Sequence, residues 1–178
     1  MSISQDVDNT DDIRSQFVAL LPALRSFARG FYPNPDEADD LVQETLGRAL
    51  GGLHTFTPGT SLKSWMFTIM RNTFYTAIKR RRREPAGMKA DVAESEIPRE
   101  PSQEWVLRAK ELEAALHQLE PENREAIMLV CVSGVSYAEA SEICGCAVGT
   151  IKSRISRGKA QLLLTLGNET RSSIVEKI

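Results

Sequence analysis

The sequence predicts an all-α protein built from two small helical domains joined by a flexible linker. Apolar residues in each periodic stretch recur three or four positions apart, the spacing of one helix face, and no stretch shows the strict alternation of a half-buried strand. Residues 84–102, EPAGMKADVAESEIPREPS, hold three prolines, much charge and little periodicity, which reads as a linker between residues 11–83 and 103–166. Two short helical stretches then flank Gly145 in the manner of a helix-turn-helix, two helices meeting at a sharp turn that often needs glycine.

Each element has a local reason. Ile13, Phe17, Leu20, Leu21, Leu24, Phe27, Ala28 and Phe31 give a first helix over 13–31, with a kink expected near Pro22. Asn34-Pro35 starts a second, since asparagine caps and proline suits a first turn; Ala38, Leu41, Val42, Leu46, Ala49, Leu50 and Leu53 form its stripe, and Gly51-Gly52 should fray its end. After the turn-like TFTPGTS, residues 62–83 carry Trp65, Met66, Ile69, Phe74 and Ile78 and finish in KRRRR. Beyond the linker, Trp105, Ala109, Leu112, Leu116 and Leu119 define a fourth helix. Pro121 opens a fifth, containing Ala126, Ile127, Leu129 and Val130 and ending at Gly134. Helices over 136–144 and 147–166 complete the second domain, and 167–178 reads as a C-terminal tail.

Composition narrows the function. At 178 residues and 42% hydrophobic the chain can bury a core. No run approaches the ~20 apolar residues of a membrane span, and the polar, acidic MSISQDVDNTDD lacks the pattern of a signal peptide, so a cytoplasmic protein is expected. Three cysteines in a reducing compartment predict free thiols. The net charge of −2 conceals blocks of opposite sign. Asp6, Asp8, Asp11 and Asp12 crowd the N-terminus and Asp36, Glu37, Asp39, Asp40 and Glu44 the second helix, against Lys79 to Arg83 and the run Lys152, Arg154, Arg157, Lys159. Basic patches of this kind fit a polyanionic partner even in an acidic chain.

The stretch SEICGCAVGTIKSR (141–154) sets two thiols one residue apart beside two cations, which raises a metal or redox site. Metal partners are missing, because Cys131, His54 and His117 show none of the short paired spacings of structural zinc sites. The helix-turn-helix accounts for the cysteines better. Ala140 and Cys144 lie on the inner face of the first helix, Cys146 follows the turn, and Val148, Ile151 and Ile155 face back from the second. Free cysteine there behaves as a small buried hydrophobe. Thr150, Ser153, Arg154 and Arg157 are then left to meet DNA, with Lys152 and Lys159 nearer the phosphates. No catalytic constellation, cofactor or metal is expected, and both histidines read as surface or capping residues.

The stretches DEADDLVQETLGRAL, SLKSWMFTIMRNTFYTAIKRRRRE, LEPENREAIMLV and SYAEASEICGCAVGTIKSRISRGKAQL together resemble an ECF-type RNA polymerase sigma factor, and EICGCAVGTIKSR is similar to the general stress response sigma factors of alphaproteobacteria. The resemblance implies region 2 over 11–83 and region 4 over 103–166, tethering RNA polymerase core to two promoter elements, and no catalysis. It places Asp39, Asp40, Gln43 and Glu44 on the surface that docks on the largest polymerase subunit. It makes Thr57 to Leu62, with Thr60 and Ser61, the loop that receives a flipped minus-10 base, with Asn72 reaching the same strand. Arg71, Tyr75, Lys79, Arg80, Arg81 and Arg82 fit a basic groove that holds that strand, alongside Trp65 and Phe74, although Trp65 suits the core better. Thr150, Lys152, Ser153, Arg154, Arg157 and Lys159 fall to the minus-35 element. Partners implied are core polymerase, promoter DNA and a small soluble anti-sigma factor, itself controlled by a response regulator with a sigma-like domain. The alternative is a stand-alone helix-turn-helix regulator using residues 103–166, which leaves the N-terminal half without a purpose. Two positions depart from the pattern: Ser141 stands where alanine is usual, and Gly158 interrupts the recognition helix at ~1 kcal/mol in propensity unless close packing offsets it. A linker without apolar periodicity has no means of locking the domains together, so many relative arrangements are expected.

Overall fold

In a computed structural model, the backbone is described for residues 3–83 and 103–175 and the side chains for 13, 15–83 and 107–167. The expected linker therefore lies outside the described residues, as do the side chains of the acidic N-terminal segment.

The segment expected as region 2 is three helices. Helix α1 (Ile3–Arg29) begins before residue 13 and runs through Pro22, whose ring is exposed; Phe17, Leu24, Phe27 and Ala28 are buried along it. Helix α2 (Pro35–Gly51) starts where the Asn34 side chain accepts from the Asp36 amide at 2.8 Å, and it buries Ala38, Leu41, Val42 and Ala49. Thr45 joins that buried stripe because its hydroxyl donates to the Leu41 carbonyl at 2.7 Å, which satisfies the polar atom. Leu50, placed on the same stripe from the sequence, is instead 54% exposed. The Gly52 amide donates to the Arg48 carbonyl and leads into a 3₁₀ turn, Leu53–Thr55, so the helix ends in a cap rather than a frayed turn.

Helix α3 (Leu62–Arg81) is capped by Ser61, which accepts from the Ser64 amide at 3.2 Å. Its deepest residues are Met66, Phe67 and Met70, while Trp65, Ile69 and Phe74 pack at the flanks. The face is rotated from the expected one because α3 is covered on two sides, by α1 and α2 and by region 4, which removes a single apolar stripe. Phe67 meets Phe27 at 4.7 Å and Phe74 stacks on Phe31 at 4.4 Å.

The segment expected as region 4 comprises α4 (Gln103–His117), α5 (Pro121–Ile127), a π-helical turn (Met128–Val132), α6 (Tyr137–Cys144) and α7 (Val148–Val175). The segment read as a tail from 167 is helical through Val175, continuing α7. Gly134 and Gly145, at φ +66° and +64°, make the turns that end the π segment and α6. Gly158 is buried against α5: a Cβ there would lie 2.6 Å from Ile127 Cδ1, so close approach of two helices explains the glycine inside the recognition helix.

The two regions do not stand apart. Their buried residues form one contiguous cluster, with α6 against α3 and the π turn against α1, where a Cβ on Gly30 would come 2.7 Å from Met128 Cγ. The expectation of freely varying arrangements rested on the linker, and the contacts come from the helices.

Candidate nucleic-acid and polymerase interface

The loop before α3 is drawn tight by its own hydroxyls. The Thr60 hydroxyl and amide both donate to the Thr57 carbonyl, at 2.7 and 3.2 Å, and Gly59 supplies φ +87°. Thr57, Thr60 and Ser61 are exposed on it. Leu62 is not: at 8% exposure it sits in the core and anchors the loop, which removes it from the DNA-facing set.

Along α3, Asn72, Lys79, Arg80, Arg81 and Arg82 are exposed, and Arg81 lies 3.5 Å from Glu37 of α2. Arg71 and Tyr75 are engaged elsewhere. Arg71 Nε donates to Glu125 Oε1 at 2.8 Å, Tyr75 Oη donates to Glu125 Oε2 at 3.3 Å, and the guanidinium lies 4.8 Å from the centre of the Tyr75 ring. The Glu125 side chain is only 1% exposed, and burial pushes its carboxyl up against the opposing pull of Arg71. The Tyr75 hydroxyl is pushed up to about 12 by burial and then by the Glu125 charge. Glu125 is absent from the sequence-predicted set, yet the sequence carries a signal for it: a carboxylate beside Ala126 and Ile127 on a short apolar helix needs a partner, and a partner on another element is a contact between domains.

Further contacts join the regions. Ser64 Oγ donates to Glu139 Oε1 at 2.7 Å, Lys63 Nζ donates to the Ser133 carbonyl, and Arg29 lies 3.6 Å from Glu113. Glu139 also closes a capping box with Ser136 at the start of α6, and the Ser136 and Ser64 hydroxyls hold its carboxyl down at about 2.

The acidic surface of α2 is partly self-paired. Asp39 lies 3.4 Å from Arg25 and Glu44 2.8 Å from Arg48, so these carboxylates do have internal partners. Both pairs are exposed and worth under about 1 kcal/mol, weak enough for a competing surface to displace. Asp40 and Gln43 are exposed, and among the described residues no ion pair holds Asp40.

On the helix-turn-helix, Lys152, Ser153, Arg157 and Lys159 are exposed along α7, with Thr150 half-buried. Arg157 Nε donates to the Ser153 carbonyl at 3.3 Å, and Lys152 Nζ lies 5.9 Å from the centre of the exposed Tyr137 ring. Arg154 is half-buried, its Nη1 3.7 Å from Cys146 Sγ. Cys144 is buried, its thiol pushed up to about 12 by burial, while Cys131 is exposed. His54 is exposed in the 3₁₀ turn, and His117 ends α4 beside Arg124, which donates to its carbonyl at 3.1 Å.

Comparison with known proteins matches these two units. The Sigma-70 region 2 family covers residues 17–84 and the Sigma-70 region 4 family residues 109–162. The ECF RNA polymerase sigma factor EcfG of Rhodopseudomonas palustris is 46% identical over 153 residues, 86% of this chain and 84% of that protein. Among solved structures, the sigma factor RpoE of Bartonella quintana in complex with the anti-sigma factor NepR superposes with a TM-score of 0.75 at 39% identity, over 88% of this chain and 97% of that one. CnrH in complex with the cytosolic domain of CnrY, a sigma factor of Cupriavidus metallidurans, gives 0.68 at 25% identity, over 93% and 94%.

Proposed function

The chain belongs to the ECF RNA polymerase sigma factors, and we propose how its surfaces divide the work of promoter-specific transcription initiation. The exposed basic face of α7 beyond the Gly145 turn carries the reading: Lys152, Ser153, Arg157 and Lys159 form a free helix surface of the kind that enters a major groove, and it reads the minus-35 element. Arg154 is the inner member of this set, held by Cys146 at the edge of the groove-facing surface. The loop Thr57, Thr60, Ser61 with Asn72 and the cationic end of α3, Lys79 to Arg82, serves the minus-10 strand, and Arg71 and Tyr75 join it once region 4 is displaced. Asp39, Asp40, Gln43 and Glu44 dock on core polymerase.

The relatives support a stress-response role and an inhibitor. RpoE is held in its complex by an anti-sigma factor, and this chain resembles it over nearly its whole length. A small soluble anti-sigma factor is therefore the partner expected to compete with core, under the control of a response regulator with a sigma-like domain.

Run-off transcription with purified core polymerase on genomic fragments tests the reading. Initiation at defined start sites is expected only when this chain is present. Binding to duplex DNA with no effect on core would instead favour the stand-alone regulator.

A further inference from the structure

Helices α1, α3 and α5 and the π turn enclose a cavity to which the proposed division of surfaces gives no role. We propose that it is a binding site for a small aromatic carboxylate, a single ring bearing one anionic group. A ligand there touches both regions at once and so adds to the contacts that hold them together.

Size and lining favour a ring. The cavity measures about 200 Å³. An apolar cavity of ~150 Å³ takes up benzene, so this one suits a single ring with a short substituent. Phe27 and Phe31 of α1 and Phe74 and Tyr75 of α3 line it, with Phe31 stacked on Phe74 at 4.4 Å and edge-on to Phe27 at 4.9 Å. A further ring extends this cluster in the same offset or edge-to-face geometry. Ile78 and Met128 complete the apolar wall, and the unbranched Met128 can adapt to the outline of a ligand.

The polar groups set the charge of the ligand. Arg124 lines the cavity half-buried; its Nη1 donates to the His117 carbonyl at 3.1 Å and lies 3.1 Å from His117 Nδ1. Among the described residues no carboxylate pairs with it. Burial pulls its guanidinium down, as expected of a partly desolvated cation short of an anion. Arg82 lines the same cavity from an exposed position, also without an ion pair among the described residues. Glu125 is the carboxylate of the lining, and both its oxygens are engaged, Oε1 by Arg71 and Oε2 by Tyr75. Two guanidiniums without carboxylate partners, set against a carboxylate already neutralised, favour an anion over a cation. A guanidinium also matches a carboxylate in shape, through two parallel N–H bonds. The ring therefore lies among the phenylalanines and its carboxylate at Arg124.

Benzoate is the probe, titrated into the full chain by calorimetry. One equivalent should bind saturably with a dissociation constant at or below about 1 mM, and the thermal midpoint should rise with benzoate concentration. Acetate at matched ionic strength lacks the ring and benzamide lacks the charge, so each should bind about tenfold more weakly or worse. Arg124→Gln should weaken benzoate by about tenfold or more, the scale of a lost charge-assisted bond. Ile78→Trp puts a larger side chain into the cavity and should abolish binding. If Arg124→Gln loses helicity, Arg82→Gln at its exposed position serves instead, with a loss of about two- to fivefold. Benzamide binding as well as benzoate overturns the anionic assignment, and benzylamine binding better than benzoate makes Glu125 the anchor and overturns it too. Benzoate binding that survives Ile78→Trp lies elsewhere on the chain. Absence of binding below about 1 mM, including through a second copy seated over the cavity, also overturns the proposal. The titration needs neither polymerase nor promoter, so its outcome is independent of the functional reading.

Discussion

Single residues decide several questions the sequence raises, and Asp40 is the sharpest. Asp39 and Glu44 are shared with Arg25 and Arg48, whereas Asp40 stands exposed between them on α2. Asp40→Arg should weaken assembly with core polymerase by about tenfold or more, the scale of a lost interface anchor, with thermal stability close to wild type. Unchanged affinity in a titration of labelled core would remove α2 from the docking surface. The thiols give an equally direct check. Cys131 is exposed, and Cys144 is buried with its thiol raised to about 12, so maleimide at neutral pH should label Cys131 quickly and Cys144 only after unfolding. Rapid labelling of Cys144 in the folded protein, followed by mass spectrometry, would contradict its place in the core.

At the scale of elements, α6 shows how one carboxylate serves two structures. Glu139 completes the capping box with Ser136 and accepts from Ser64 across the seam. Its carboxyl is held near 2, below its ordinary 4.5, so the charged form is the one the fold prefers. A depressed value contributes stability that is present above about pH 4.5 and lost as pH falls toward 2. Glu139→Gln should therefore flatten the acid limb of an unfolding titration, and an acid limb as steep as in the wild type would show that the cap does not act through its charge. Much of this element was legible beforehand. Asn34-Pro35, Pro121 and Gly145 announce helix ends because caps and left-handed turns are local chemistry, and each lies where the sequence puts it. The buried face of α3 includes Met66 as expected but turns toward Phe67 and Met70, because these residues answer to partners on two sides, which no local period encodes. The candidate site divides the same way. The exposed face of α7 follows from helical spacing, whereas the burial of Leu62 and the capture of Arg71 depend on elements far away in the chain.

At the scale of the molecule, the shared core makes the two regions one mechanical unit, and Gly30 tests that without touching a charge. Gly30 lies just past the C-terminal end of α1, is buried, and faces the π turn: an added Cβ would sit 2.7 Å from Met128 Cγ. Met128 is unbranched and can yield a little, so Gly30→Ala should cost about 1–3 kcal/mol, as overpacking does, and lower the midpoint of a single unfolding transition. Gly30→Leu exceeds what that side chain can absorb. Separation of the regions then relieves the clash, because each retains its own helices and the charged contacts at Arg71 and Ser64 cannot hold against the displaced backbone. Calorimetry should show one transition for the wild type and for Gly30→Ala, and two for Gly30→Leu, with helicity preserved below the first. Two transitions already in the wild type would mean that the seam adds little to stability. A single transition in Gly30→Leu at the wild-type midpoint would mean that the π turn does not bear on α1 in solution.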